Sequence, residues 1–327
     1  MEKNKPIQTS EIGRFCAEFL EFKRSTGVKY SSEEKQLRQF VSFCEQHHSG
    51  QNLPEDILSH WLLSDSNQSL KTKNNKASLI KTLAQYLFSL GYMPLRIPMI
   101  RYTRNTVFIP HIFTATEMEK IWTIVDSISP ATSVPNLHRC IPVLFRLLWA
   151  SGLRISEALG IDVKDVDFET NIITIMHGKL DKERLIPMST SLSAVLKTYA
   201  DECTVDFGKN EPFFYYRRGE RLGGHQIYQH FRLTLLRSGI PYQGKDKGPR
   251  LHDFRHTFAV NAMNKMADEG KDLYVALPIL SAYLGHESVE ATERYVRLTE
   301  DRIGSITERF AKVMTNVFPE VAENDEI

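Results

Sequence analysis

Between residues 10 and 90, apolar side chains recur at intervals of three and four, and that rhythm commits the stretch to helices that each bury one face. In SEIGRFCAEFLEFKRS the side is formed by Ile12, Phe15, Phe19 and Phe22; in EEKQLRQFVSFCEQHH it is formed by Leu37, Phe40, Val41 and Cys44. PEDILSHWLL places Pro54 where a first helical turn tolerates a missing N–H. The stretch from Lys71 to Leu90 stops at Gly91, a residue suited to the left-handed turn that closes a helix. Four such segments predict a small helical bundle over residues 1–92.

The rhythm fails over residues 93–113, MPLRIPMIRYTRNTVFIPHIF, where three prolines and several arginines crowd a segment without helical period. An extended, basic inter-domain linker is the expectation. A second domain, residues 114–327, begins with Thr114 and Glu117 at capping-box spacing. An apolar helix is expected over 137–151. VDFETNIITIMHG and ERLIPM are rich in β-branched residues and flank a short polar turn, which predicts an antiparallel hairpin. Helices are expected again near 190–203, 224–238, 251–267 and 272–283, and after Thr299. The fold class is therefore mainly α with a small antiparallel β-sheet.

Composition narrows the setting. Of 327 residues, 42% are hydrophobic and 25% charged, as in ordinary globular chains. No apolar run approaches the roughly 18 residues of a membrane span, and MEKNKPIQTSEIGRF lacks the apolar core of a secretory signal. Cys16, Cys44, Cys140 and Cys203 are scattered and form no CxxC pair, so they are expected as buried or incidental thiols in a reducing compartment. A cytoplasmic protein without a membrane partner follows as the expectation. The net charge is +1, divided unevenly: residues 1–110 carry 15 Lys+Arg against 10 Asp+Glu, a balance of +5, and the remainder carries 26 against 30, a balance of −4. Lys71, Lys73, Lys76 and Lys81 fall on or near one helical face, either a solvated face or one that meets phosphates.

Three segments hold residues suited to chemistry: SGLRISEALGI with Arg154 and Glu157, LHDFRHTFA with His252 and Arg255 three apart on one helical face, and LGHESVEATERYV with His286 and Tyr295. HGKLDKERLIP adds Lys179 at the expected hairpin turn. Two arginines can each grip non-bridging phosphate oxygens and offset the charge that builds on pentacoordinate phosphorus. A phenol becomes a nucleophile when its proton is removed or its anion is stabilised. A lysine can protonate the leaving oxygen. No carboxylate cluster has metal-binding spacing, so neither metal nor cofactor is expected.

The order and flanking text of these residues resemble the tyrosine recombinase (phage integrase) family over about residues 110–315 and more loosely over the N-terminal helices. The family pattern of Arg, Lys, His-x-x-Arg, His or Trp, then Tyr falls here on Arg154, Lys179, His252, Arg255, His286 and Tyr295. The resemblance implies a catalytic domain behind a SAM-like core-binding bundle, with the two domains clamping the duplex. It implies that Arg154, Arg255 and His286 bind the scissile phosphate, His252 helps to move the nucleophile's proton, Lys179 protonates the leaving 5′ oxygen, and Tyr295 forms a 3′-phosphotyrosyl bond. Glu157 is read as a support for the site's geometry and His256 as structural; Lys182 and Arg184 compete with Lys179, which the preceding glycine favours. Lys71, Lys73, Lys76, Arg101 and Arg104 are candidate DNA contacts.

Strand exchange through a Holliday junction follows from the same resemblance. The expected partners are double-stranded DNA with specific recombination sites, three further copies in a homotetramer on DNA (a monomer in solution), and an accessory or directionality factor. The amphipathic helix after Tyr295 would dock on a neighbouring protomer or pack on its own domain. With the bundle starting near residue 10, an additional arm-type DNA-binding domain is not expected. About 30 residues separate Arg255 from His286, a spacing more like recombinases of transposons and integrative elements than Xer-like resolvers of chromosome or plasmid dimers. A type IB topoisomerase would use nearly the same residues.

Overall fold

The computed structural model describes residues 10–28, 30–47, 57–92, 110–130, 136–176, 183–242 and 248–286, the side chains of 273 and 274 apart. The chain divides into two compact units, Met1–Val107 and Phe108–Ile327.

The first unit contains α1 (Glu11–Ser25), α2 (Ser31–His47), α3 (Ile57–Leu63) and α4 (Leu70–Ser89). Ser10 caps α1 by accepting from the Gly13 N–H (3.2 Å), and Ser69 caps α4 by accepting from that of Thr72 (3.1 Å). Gly91, at φ 88°, makes the left-handed exit expected after α4. Leu37, Phe40, Val41 and Cys44 are all buried, and with Cys16, Phe19, Trp61, Ile80 and Leu83 they form the core. Phe22 departs from the expected stripe. It is 44% exposed and stacks on Tyr86, because Cys16 and Leu20 take the inward positions of α1.

The lysine face also needs correction. Lys71 and Lys81 are exposed and Lys73 half-buried, but Lys76 is buried and its Nζ lies 4.7 Å from the Trp61 ring centroid. Its stem covers the core and its charge faces an aromatic ring, so Lys76 serves the bundle instead of an outer surface. Arg101 and Arg104 lie outside the described residues, as does Pro54.

The second unit contains α5 (Ala115–Asp126), α6 (Leu137–Ser151), α7 (Ile155–Gly160), β1 (Val166–Asp167), β2 (Ile172–Ile175), β3 (Arg184–Pro187), α8 (Thr190–Cys203), β4 (Tyr215–Arg217), β5 (Glu220–Arg221), α9 (Gly224–Arg237), α10 (Asp253–Asp268) and α11 (Leu273–Leu284). The Thr114–Glu117 capping box forms as expected. The hairpin is present as β2–β3, with Ile173 opposite Ile186 and Ile175 opposite Arg184, and β1 extends it to a three-stranded antiparallel sheet. At two residues, β1 is too short to show a period in sequence, and the same holds for the β4–β5 pair. Phe145, Phe231 and Phe254 pack mutually at 5.5–5.9 Å in the core, with Phe113 against the last two. The Phe113 N–H donates to Thr257 Oγ1 (3.0 Å), so the end of the segment read as linker is seated in this unit. All four cysteines are free and buried.

Candidate active site

Two left-handed glycine turns bring distant segments together. α6 ends at Gly152 (φ 63°), and an added Cβ there would lie 2.5 Å from Phe258 Cδ1. The close packing and the backbone angle together require glycine. α11 ends before Gly285 (φ 65°), whose N–H donates to the Ala282 carbonyl (3.0 Å) while the His286 N–H donates to that of Ser281 (3.0 Å). The carbonyls at these helix ends point outward and carry partial negative charge. Arginines fill them. Arg255, on the first turn of α10 and 1% exposed, donates from Nη1 to Gly152 O (2.8 Å) and from Nη2 to Leu284 O (2.6 Å). Arg154 donates from Nη2 to Gly285 O (3.1 Å).

Glu157 lies beneath them. Arg154 precedes α7, and Glu157 closes that helix start by accepting from the Arg154 N–H on Oε2 (2.8 Å) and from Arg154 Nη1 on Oε1 (2.7 Å). Arg184 of β3 donates from Nη1 to Oε1 (3.0 Å) and from Nη2 to Oε2 (2.7 Å). Arg255 Nη1 lies 4.0 Å from Oε2. Only 2% of the Glu157 side chain is exposed. Burial alone would push its carboxyl up, but the hydrogen bonds and charge of Arg184 and the hydrogen bonds from the Arg154 N–H and side chain outweigh that and bring it down to about 2. Three guanidiniums share one carboxylate, so the group carries surplus positive charge.

The histidines border this charge. His252 immediately precedes α10 with helical backbone angles and keeps an exposed edge, and Arg255 follows it by one turn, its N–H donating to the His252 carbonyl (3.1 Å). The turn is set by the Arg250 N–H donating to Asp253 Oδ2 (2.8 Å). Partial burial and the charges of Arg255, Arg250 and Arg154 hold His252 below the ordinary imidazole range. Burial, then Arg255 and Arg154, brings His286 down to about 4. Both rings are thus neutral near neutral pH, able to accept or donate a proton once an anion offsets the arginines. His256 stands edge-on to His252 (centroids 4.9 Å apart) with Nε2 at 3.9 Å from Asp253 Oδ1.

Arg154, Glu157, His252, Arg255 and His286 therefore converge, although they come from three separate segments. Lys179, Lys182 and Tyr295 lie outside the described residues, as does the helix expected after Tyr295. Arg184 is the residue whose place the sequence does not give, since there it stands only as a rival to Lys179. Its signal was the strand alternation, which puts it on the inner side with Ile186. Among the described residues, no group of three or more His, Cys, Asp or Glu is placed to hold a metal ion, and no helix is long and apolar enough to cross a membrane.

Residues 111–302 match the family described as "Phage integrase family". The Sinorhizobium fredii protein named "Putative integrase/recombinase y4rB" is 28% identical over 299 residues, which cover 85% of this chain and 90% of its own length. Tyrosine recombinase XerC of Herpetosiphon aurantiacus is 27% identical over 302 residues, covering 89% and 92%. Among solved structures, the Tn1549 transposon integrase in complex with transposon right end DNA shares the fold, with TM-score 0.63, 17% identity, and coverage of 89% of this chain and 99% of its own.

Proposed function

The chain belongs to the phage integrase family, and from that membership we propose that it cuts and rejoins DNA as a site-specific tyrosine recombinase of a mobile element. The observation that carries the site reading is the set of three guanidiniums around one buried carboxylate, bordered by two histidines that stay neutral. Such a group attracts a phosphodiester and holds it where negative charge develops. Arg154 and Arg255 take the non-bridging oxygens, with their backs already anchored on carbonyls and on Glu157. His286 bonds to the same phosphate, and His252, at the open edge, moves the nucleophile's proton.

Tyr295 attacks phosphorus; the P–O bond to the 5′ oxygen breaks as the phosphotyrosyl bond forms, and Lys179 protonates the leaving oxygen. The phosphotyrosine retains the energy of the broken diester, so a 5′ hydroxyl from a partner strand reseals it without ATP. DNA is the partner, with exchange carried out by a homotetramer in the cytoplasm and an accessory factor setting direction. Exposed Lys71 and half-buried Lys73 support a phosphate-contacting face on α4. The relatives named XerC favour one second reading, resolution of chromosome or plasmid dimers.

The test uses a pool of nicked duplexes of randomised sequence, from which strands that become covalently attached to the full-length protein are recovered. An SDS-resistant adduct is expected, absent in Tyr295→Phe. No adduct from the intact protein, or one that survives the substitution, refutes the mechanism. The recovered sites, placed pairwise on plasmids, then distinguish integration from dimer resolution by the topology of the products.

A further inference from the structure

Arg184 bridges the parts of the site. The alternation of β3 buries Ile186, leaves Leu185 62% exposed and turns Arg184 inward, where 13% of its side chain is exposed. Its two terminal nitrogens meet the two Glu157 oxygens in parallel, at 3.0 and 2.7 Å. The same two oxygens accept the side chain and the N–H of Arg154. A third segment closes on this pair: a Cβ added to Gly285 would lie 2.9 Å from Arg184 Nη1, and the Gly285 carbonyl is the one that accepts Arg154 Nη2. One guanidinium on β3 thus reaches both the start of α7 and the end of α11.

Resting on the recombinase reading above, we propose that Arg184 is a positioning residue for DNA cleavage. It fixes the Glu157 carboxylate so that Arg154 is held at the scissile phosphate. It also ties β3, which follows the 177–182 segment containing Lys179, to that carboxylate. With both nitrogens spent on Glu157, Arg184 is not the proton donor it resembles in sequence. The fork geometry is needed, because an ammonium is a point charge that cannot bond both oxygens in one plane. The charged groups facing Glu157 are Arg154 just before α7, Arg184 from β3 and Arg255 from α10, with His252 and His286 bordering them. Without Arg184, the Glu157 carboxyl rises from about 2 toward its ordinary range, and its protonation releases Arg154.

The experiment follows single-turnover adduct formation on a nicked duplex recovered by the selection above, across pH, with DNA affinity measured by gel shift. Arg184→Gln is expected to cleave about 100-fold more slowly at unchanged affinity, and to show, beyond the fall that His252 protonation causes in the intact protein, an added acid-side fall in rate. Glu157→Gln combined with Arg184→Gln is expected to be no slower than Glu157→Gln alone, and to lack that acid-side fall. Arg184→Lys, which keeps the charge, covers the case of a poorly folded Gln variant; it is expected to remain at least about 10-fold slow. Cleavage by either single variant at the intact rate with an unchanged pH profile overturns the proposal, as does a loss of cleavage fully matched by a loss of DNA affinity. Failure of the intact protein to form any adduct refutes instead the recombinase reading beneath it.

Discussion

Replacing Glu157 by Gln tests the electrostatic account of the site without any DNA. The fall of its carboxyl from an ordinary 4.5 to about 2, at about 1.36 kcal/mol per pH unit, corresponds to roughly 3 kcal/mol of native stability. Loss of one partner from a buried charge group independently costs about 3–5 kcal/mol, and the two routes agree. The sign is that of a carboxylate held low by the fold. The stabilisation is complete above about pH 4.5, where the unfolded chain's carboxylate is also ionised, and is lost as pH falls toward about 2. Urea titrations followed by far-UV circular dichroism should place Glu157→Gln about 3 kcal/mol below the intact protein at about pH 7, with about 1.4 kcal/mol of that gap gone at about pH 3.5. For a unit of about 220 residues, the neutral-pH difference appears as a Tm lowered by about 10 °C. A gap that stays constant with pH, or one below about 1 kcal/mol at neutral pH, refutes the reasoning.

Two further outcomes follow from the geometry. Gly152→Ala places a methyl 2.5 Å from Phe258 Cδ1 at φ 63°, so it should destabilise by more than about 2 kcal/mol in the same titrations and also weaken adduct formation, because the Gly152 carbonyl anchors Arg255. Lys76→Met should leave DNA affinity unchanged, whereas Lys71→Ala and Lys73→Ala should each lower affinity and reduce the slope of log affinity against log salt by about 1.

Sequence and structure divide the explanation at identifiable places. The periods of three and four located α2 and its core residues Leu37, Phe40, Val41 and Cys44, because a helix repeats one local geometry and its buried face is written at fixed intervals. The same local logic located the Thr114–Glu117 cap and the stop at Gly91. It misread Phe22 and Lys76, whose positions depend on which neighbouring helix covers them. The chemistry of the site is legible as residue types and order: Arg154, His252, Arg255 and His286 stand out in the sequence alone.

Tertiary structure alone decided how those residues are held. Gly152 and Gly285 lie far from Arg255 and Arg154 in sequence, yet their carbonyls, with that of Leu284, are the acceptors that orient them. Arg184 is likewise 27 positions from the carboxylate it grips. Side-chain type is a local property, readable from the chain itself. The charge balance of a buried group is set by every segment packed against it, and it exists only once α7, β3, α10 and the end of α11 have come together.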